Sequence, residues 1–325
     1  RLAAIELGPF HLPNPGGGAD LLENATLTLA AGHRYGLIGR NGKGKSTLLK
    51  FVASRRVGGL AADISVHYVT QEVSLTDAQE DAVPAEVVLH ADVERRLLLA
   101  DVAEMEALEA REETKVSGLS EREAEKRRRA LAAAHERLLA MDAEGAPSRA
   151  SALLRNLGVS DALASRKMRA LSGGWRVRVA LAAALFAKPD VLLLDEPTNH
   201  LSVAAVLWLA RELRDSKTWK TRAVVVVSHD RHFLDAATTD SLHISGAARR
   251  LTSHSMCYSA WAAKRAEQQL ALERRRATRE EKKKTLEGYA GHGFKYGGSS
   301  SQINMMQRKA HEAAKLNEEA EKEAA

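Results

Sequence analysis

The sequence predicts an α/β protein built around a parallel sheet, and three observations carry that prediction. Two uninterrupted apolar runs, VLLL at 191–194 and AVVVV at 223–227, have the composition of strands buried on both faces. Both sit in an alternation of helical and extended periodicities that runs from Gly174 to Ala247. A further apolar strand, YGLI at 35–38, ends in a glycine loop, GRNGKGKST at 39–47, that opens directly into a helical pattern.

Justified in chain order, residues 1–80 read as short strands around one helix. Residues 25–29 alternate, 35–38 form a buried strand, and 46–53 begin a helix. ISVHYVT at 64–70 is β-branched and partly alternating, so it reads as another strand. From about Pro84 the texture changes. Leu98, Val102 and Met105 fall at helical spacing, and after the break KVSGLS a second seam follows at Leu131, Ala134, Leu138 and Met141. Ser120 with Glu123 has the form of a capping box, and Glu123–Arg127 and Glu125–Arg129 are i,i+4 pairs in the favourable order. Residues 84–145 are therefore expected to form a helical hairpin insert, either a plain two-helix subdomain or a docking arm. After Tyr258 a long charged helix is expected to about Glu287, then a tip, GYAGHGFKYGGSSS, and a second helix from Gln302.

Composition narrows the classes. Hydrophobic residues are 45% and charged residues 28% of 325, which fits a folded globular chain. The longest apolar stretch, residues 179–187, is about half of what a bilayer span needs, and no charged-then-apolar leader is present. One cysteine, Cys257, excludes an internal disulfide and suits a reducing, cytoplasmic setting. The chain opens on Arg1, as a piece of a longer product would. The formal charge is +6, and residues 264–309 alone hold twelve Lys/Arg against five Glu, leaving the remainder near neutral.

The chemistry concentrates at four places. In GRNGKGKST, Gly39, Asn41, Gly42 and Gly44 allow backbone N–H groups to close on a phosphate; Lys45 neutralises its charge; Ser46, with Thr47 beside it, offers a hydroxyl to magnesium. In VLLLDEP, Asp195 stands at a strand end where it can reach the same cation, and Glu196 is placed to orient or deprotonate a water. His229, in VVVVSHD, and Gln71, after HYVT, also follow strands and gain weight from their order in the chain. LSGGWRVRVALAAALFAKP at 171–189 sets Ser172, Gly173 and Gly174 before an apolar helix, a second anion-binding start with no lysine of its own.

Phosphate loop, Gln71, LSGGW, LLLDEPTNHL and SHD, in this order, resemble an ATP-binding cassette domain. DEPTNHL, the helical insert before LSGGW and the charged helical segment after SHD resemble the ABC-F branch, closest to the first cassette of its eukaryotic members, of the type that acts on ribosomes and in amino-acid-starvation signalling. The resemblance covers about residues 1–320. It implies a cassette at 1–256 with a mixed-sheet core and the insert at 84–145, and a C-terminal helical-hairpin linker at 257–325. The second cassette of the family is missing from this sequence. It also implies ATP and Mg2+ as cofactors, Ser46, Asp195 and Gln71 at the metal, and Glu196, His229 and Gln71 in catalysis. Phe10, with His11 second, is the expected adenine-stacking residue. Ser172, Gly173 and Gly174 would cap ATP held by another cassette, so the chain would carry halves of two sites. The implied partners are a second cassette, and the ribosome and transfer RNA through the basic linker, with no membrane. Ser202 stands where the family has Asp. The alternatives are the nucleotide-binding subunit of a membrane transporter, a chromosome or repair ATPase with a longer coil, and a non-catalytic ATP-binding scaffold.

Overall fold

The computed structural model describes residues 4–112 and 121–293, together with helical positions 304, 308 and 311. The chain separates into two units, Arg1–Ser259 and Ala260–Ala325. The first unit begins with strands β1 (Ile5–Leu12), β2 (Leu22–Leu29) and β3 (Arg34–Ile38), helix α1 (Lys45–Ala53) and strand β4 (Val66–Val69). Helices α2 (Asp77–Asp81), α3 (Pro84–His90), α4 (Val93–Glu112), α5 (Glu121–Ala140), α6 (Ala146–Asn156), α7 (Asp161–Ala164) and α8 (Gly173–Ala187) follow. It closes with β5 (Val191–Asp195), α9 (Val203–Asp215), β6 (Ala223–Val227), α10 (Arg231–Ala237), β7 (Asp240–Ser245) and β8 (Arg250–His254).

Six strands form one sheet in the order β4-β5-β6-β3-β7-β8, every pairing parallel except β7 with β8. The sheet is mixed, as expected. All residues of β5 and β6 are buried, which is why those strands carry apolar side chains at both parities. Strand alternation then sorts them. Leu192, Leu194, Val224 and Val226 face a layer that includes α3, α6, α8, α9 and Trp219. Val191, Leu193, Val225 and Val227 face α1 and the antiparallel ribbon β1–β2. Fully burying each such side chain is worth roughly 1.5–3 kcal/mol. Asp195 has the parity of Val191 and Leu193, so period 2 alone delivers its carboxylate to the α1 side.

The hairpin is shorter than its sequence suggests. Val87 and Val88 of α3 lie in the main core, so α3 belongs to the body, and the protruding pair is α4 and α5. Their seam is a separate small cluster of Val102, Ala134 and Leu138 with Leu98, Met105 and Leu131. Ser120, the expected cap of α5, lies outside the described residues. Pro84 starts α3, where a missing N–H costs nothing, and Glu86 Oε2 accepts the Val83 N–H at 3.0 Å. No helix among the described residues is long and apolar enough to cross a membrane.

Helix α11 (Tyr258–Gly293), from Ala260 onward, supplies the described part of the second unit together with positions 304, 308 and 311. Arg274, Arg275, Arg276 and Lys282 are exposed on it, and Arg279 and Lys283 are half-buried. The tip residues Phe294 and Tyr296 lie outside the described residues, as does most of the helix expected from Gln302.

Candidate functional site

The carboxyl ends of β3, β5 and β6 meet at a cleft of about 320 Å³ lined by the phosphate loop and by residues from four other segments. Asn41, Gly42, Gly44, Lys45, Ser46 and Thr47 come from the loop and the start of α1. Gln71, Asp195, Glu196 and His229 come from the ends of β4, β5 and β6. Gly44 takes φ 95°, and a Cβ there would lie 2.8 Å from Leu21 Cδ1, so a side chain would disfavour the loop twice over. Gly39 stands just before this lining, its carbonyl accepting from Lys45 Nζ at 2.8 Å. That ammonium also approaches the Arg40 carbonyl at 3.4 Å and Asn41 Oδ1 at 3.5 Å. Burial lowers the Lys45 pKa, opposed by the charges of Glu196 and Asp195.

The two acids differ in their surroundings. Asp195 is buried; its Oδ2 accepts from Tyr68 Oη at 3.1 Å, and its Oδ1 has no hydrogen-bond partner. Burial first, and Asp195 second, raise the Tyr68 pKa far above its ordinary value, so the phenol stays a donor. Glu196 is also buried and holds φ 52°, a left-handed conformation unusual for a non-glycine residue. Its N–H donates to the Val227 carbonyl at 2.8 Å, and its Oε2 accepts the His229 N–H at 3.1 Å. His229 Nε2 stands 3.3 Å from Glu196 Oε1 while most of the imidazole is exposed. Thr198 and Ser228 link the two strand ends through their hydroxyls at 3.0 Å.

Two groups of expected site residues do not line this cleft. Phe10 is a correction: it is buried in the α1-side core, its ring 6.1 Å from that of Phe51. The register of β1 against β2 shifts between Leu7 and Phe10, and beyond the shift Phe10 and Leu12 again point inward. The residues that the loop between β1 and β2 brings to the cleft are Asn14, Pro15 and Leu21. Ser172, Gly173 and Gly174 are also absent from its lining. Ser172 is exposed at the N-cap of α8, and its side chain caps no N–H of that helix. Gly174 abuts the His200 ring, where a Cβ would come within 3.4 Å, and Arg178 Nε donates to the His200 carbonyl at 2.7 Å. Ser202 is committed locally, its hydroxyl accepting the Ala205 N–H at 3.3 Å to cap α9.

Sequence reasoning missed Tyr68, Asn14 and Pro15. Tyr68 had one signal, an aromatic hydroxyl at inward parity three residues before Gln71. A larger groove of about 950 Å³ opens at the other end of the sheet, beside Ser65 and Asp190. It lacks the loop, the lysine and the strand-end acids, so the donors rather than the volume identify the site.

A glycine loop between a strand and a helix, with two acids at the end of a parallel strand of the same sheet, one strand removed, defines a phosphate-loop nucleotide site. The ABC transporter family matches residues 22–199. Similar solved structures include the ATP-binding subunit of an ABC transporter (TM-score 0.51, 18% identity, 78% of this chain and 90% of that one). Another is a dimeric ATP-binding cassette in a post-hydrolysis state with ADP and Pi (TM-score 0.50, 19% identity, 78% and 98%). The chain belongs to the family of ATP-binding cassette ATPases.

Its relatives place it in the ABC-F branch. Human ATP-binding cassette sub-family F member 3 is 44% identical over 228 residues, 70% of this chain and 30% of the relative. Arabidopsis thaliana ABC transporter F family member 3 is 37% identical over 257 residues, 78% and 34%. Bos taurus ATP-binding cassette sub-family F member 2 is 40% identical over 227 residues, 70% and 32%. The chain spans about a third of the length of these relatives.

Proposed function

We propose that this cassette hydrolyses ATP in a site completed by the LSGG segment of a second cassette, and that the whole protein uses the cycle to change its grip on the ribosome. The observation that carries the first half is the separation of the two phosphate-binding elements. The phosphate loop lines the cleft with Glu196 and His229, whereas Ser172, Gly173 and Gly174 line none of it. An N-cap hydroxyl not used by its own helix is free to meet a phosphate from elsewhere.

In the proposed reaction Lys45 and the loop amides neutralise the phosphate chain. Glu196 accepts the proton of the attacking water, and the His229 N–H holds the carboxylate in place. Ser46, Asp195 and Gln71 would hold Mg2+. Asp195 Oδ1, buried with no hydrogen-bond partner, fits a cation, and one carboxylate with neutral oxygens suits an ion that shares its sphere with water and phosphate. That ion would supply charge neutralisation at the phosphates. The cassette ends near residue 256, and the basic helix after it is the contact for ribosomal or transfer RNA, in the cytoplasm. Its support is the exposed Arg274–Arg275–Arg276 run.

The test is co-sedimentation of the full-length protein with purified ribosomes, with ATP bound and hydrolysis blocked. Pelleting that needs ATP and weakens with salt supports the reading. Protein that stays in the supernatant at every salt concentration removes the ribosome from it and leaves a bare ATPase.

A further inference from the structure

The side chain with the closest connection to Asp195 is on a different strand. Tyr68, on β4, is in parallel register with Leu193 of β5, so it lies on the same sheet face as Asp195, two residues further along. Its ring packs into the α1-side core, and its hydroxyl emerges at the carboxylate, 3.1 Å from Oδ2. Oδ1 has no partner. The terminal torsion of an aspartate is broad and roughly two-fold, so burial alone does not choose which oxygen faces the cleft.

We propose that Tyr68 is a positioning residue: its hydroxyl pins Oδ2 of Asp195 and so reserves Oδ1 for the divalent cation of the nucleotide. The inference rests on the reading of the cleft as a metal–nucleotide site. A hydroxyl suits this role better than a lysine would, because it orients the carboxylate without cancelling the charge the cation needs. The ring supplies the rigidity, since its neighbours in the core hold the hydroxyl at a fixed place along β4. A donor to a buried carboxylate that makes no other hydrogen bond is in the strong class of hydrogen bonds, so its removal should be visible in metal affinity.

The experiment uses the full-length protein with ADP and titrates Mn2+ by electron paramagnetic resonance, a readout of the metal that needs no turnover. Tyr68→Phe keeps the ring and removes the donor. The expected result is a Mn2+ midpoint raised about ten-fold, with ADP affinity in EDTA unchanged. Asp195→Asn should raise the midpoint too, and Tyr68→Phe added to it should cost nothing further. That comparison is a difference between variants, so it holds even if Tyr68→Phe is less stable. An unchanged midpoint for Tyr68→Phe, an equal loss in EDTA, or full additivity in the double variant would overturn the positioning role. If Asp195→Asn also leaves the midpoint unchanged, the metal reading of the cleft fails and takes this inference with it.

Discussion

Replacing Glu196 by Gln separates binding from chemistry. The carboxylate is buried and its Oε2 accepts the His229 N–H at 3.1 Å. The amide oxygen can keep that bond, and the amide nitrogen can face His229 Nε2, which is 3.3 Å from Oε1. The left-handed backbone at φ 52° is unaffected, because Gln and Glu have the same branching. What disappears is the proposed proton acceptor, and general-base catalysis contributes about 10²–10⁴-fold. The barrier should therefore rise by roughly 3–5.5 kcal/mol. Lys45 loses one of the two charges that offset its burial, so its pKa falls further; Asp195 remains beside it. ATP affinity should then stay within about three-fold, since the loop amides are untouched. Single-turnover phosphate release and nucleotide titration, with the second cassette inactive, measure both quantities. Release within about three-fold of wild type would show that the proton goes elsewhere. A matching loss of affinity and rate would mean that Glu196 shapes the site rather than acting in it.

Three further outcomes are expected. Ser172→Arg should leave ATP affinity at the Lys45 loop unchanged while preventing closure on a partner cassette; loss of affinity in an isolated monomer would show that LSGG acts on its own cleft. Reversing Arg274, Arg275 and Arg276 to Glu should reduce ribosome pelleting and flatten its salt dependence with ATP binding intact; pelleting equal to wild type across a salt series would reduce the helix to a spacer. His67 is half-buried, and burial lowers its pKa below 6.5. The unfolded chain then takes up that proton before the folded one does, so His67 costs stability as pH falls below 6.5, with a slope of at most about 1.4 kcal/mol per pH unit. His67→Phe should flatten that part of a denaturation-against-pH curve, and an unchanged slope would assign the acid sensitivity to other groups.

What was legible in the sequence followed from local rules. Strands β5 and β6 are apolar at both parities because helices or a second ribbon cover both faces, and that leaves a run of identical character in the chain. The phosphate loop announces itself because its glycines and its lysine fall at fixed spacing within one short stretch, 39–45. Strand β1 did not, because Gly8 and Pro9 interrupt its alternation; Phe10 was expected at the ligand from the resemblance alone, and its inward side lies past that interruption. Helix α3 read as part of the hairpin because its apolar positions continue the helical texture, whereas its partners in α6 and α8 are distant in sequence. Tyr68 was missed for a similar reason. Its role depends on β4 lying next to β5, and no pattern within ISVHYVT specifies that neighbour.

The turn leading into the far edge strand of the six-stranded sheet is tied to a strand of the other sheet. Just before β8, the Glu23 N–H of β2 donates to the Arg249 carbonyl of the β7–β8 turn at 3.0 Å, and the side chains of the same two residues form an ion pair. An unpaired strand edge is a template on which another chain can add, and a mostly parallel sheet assembles slowly from distant segments. Here the tie comes from β2, and the strand whose turn it holds is the last of its sheet along the sequence. As the chain emerges, β2 is present before β8 exists, so one end of that edge has a partner as soon as its turn forms.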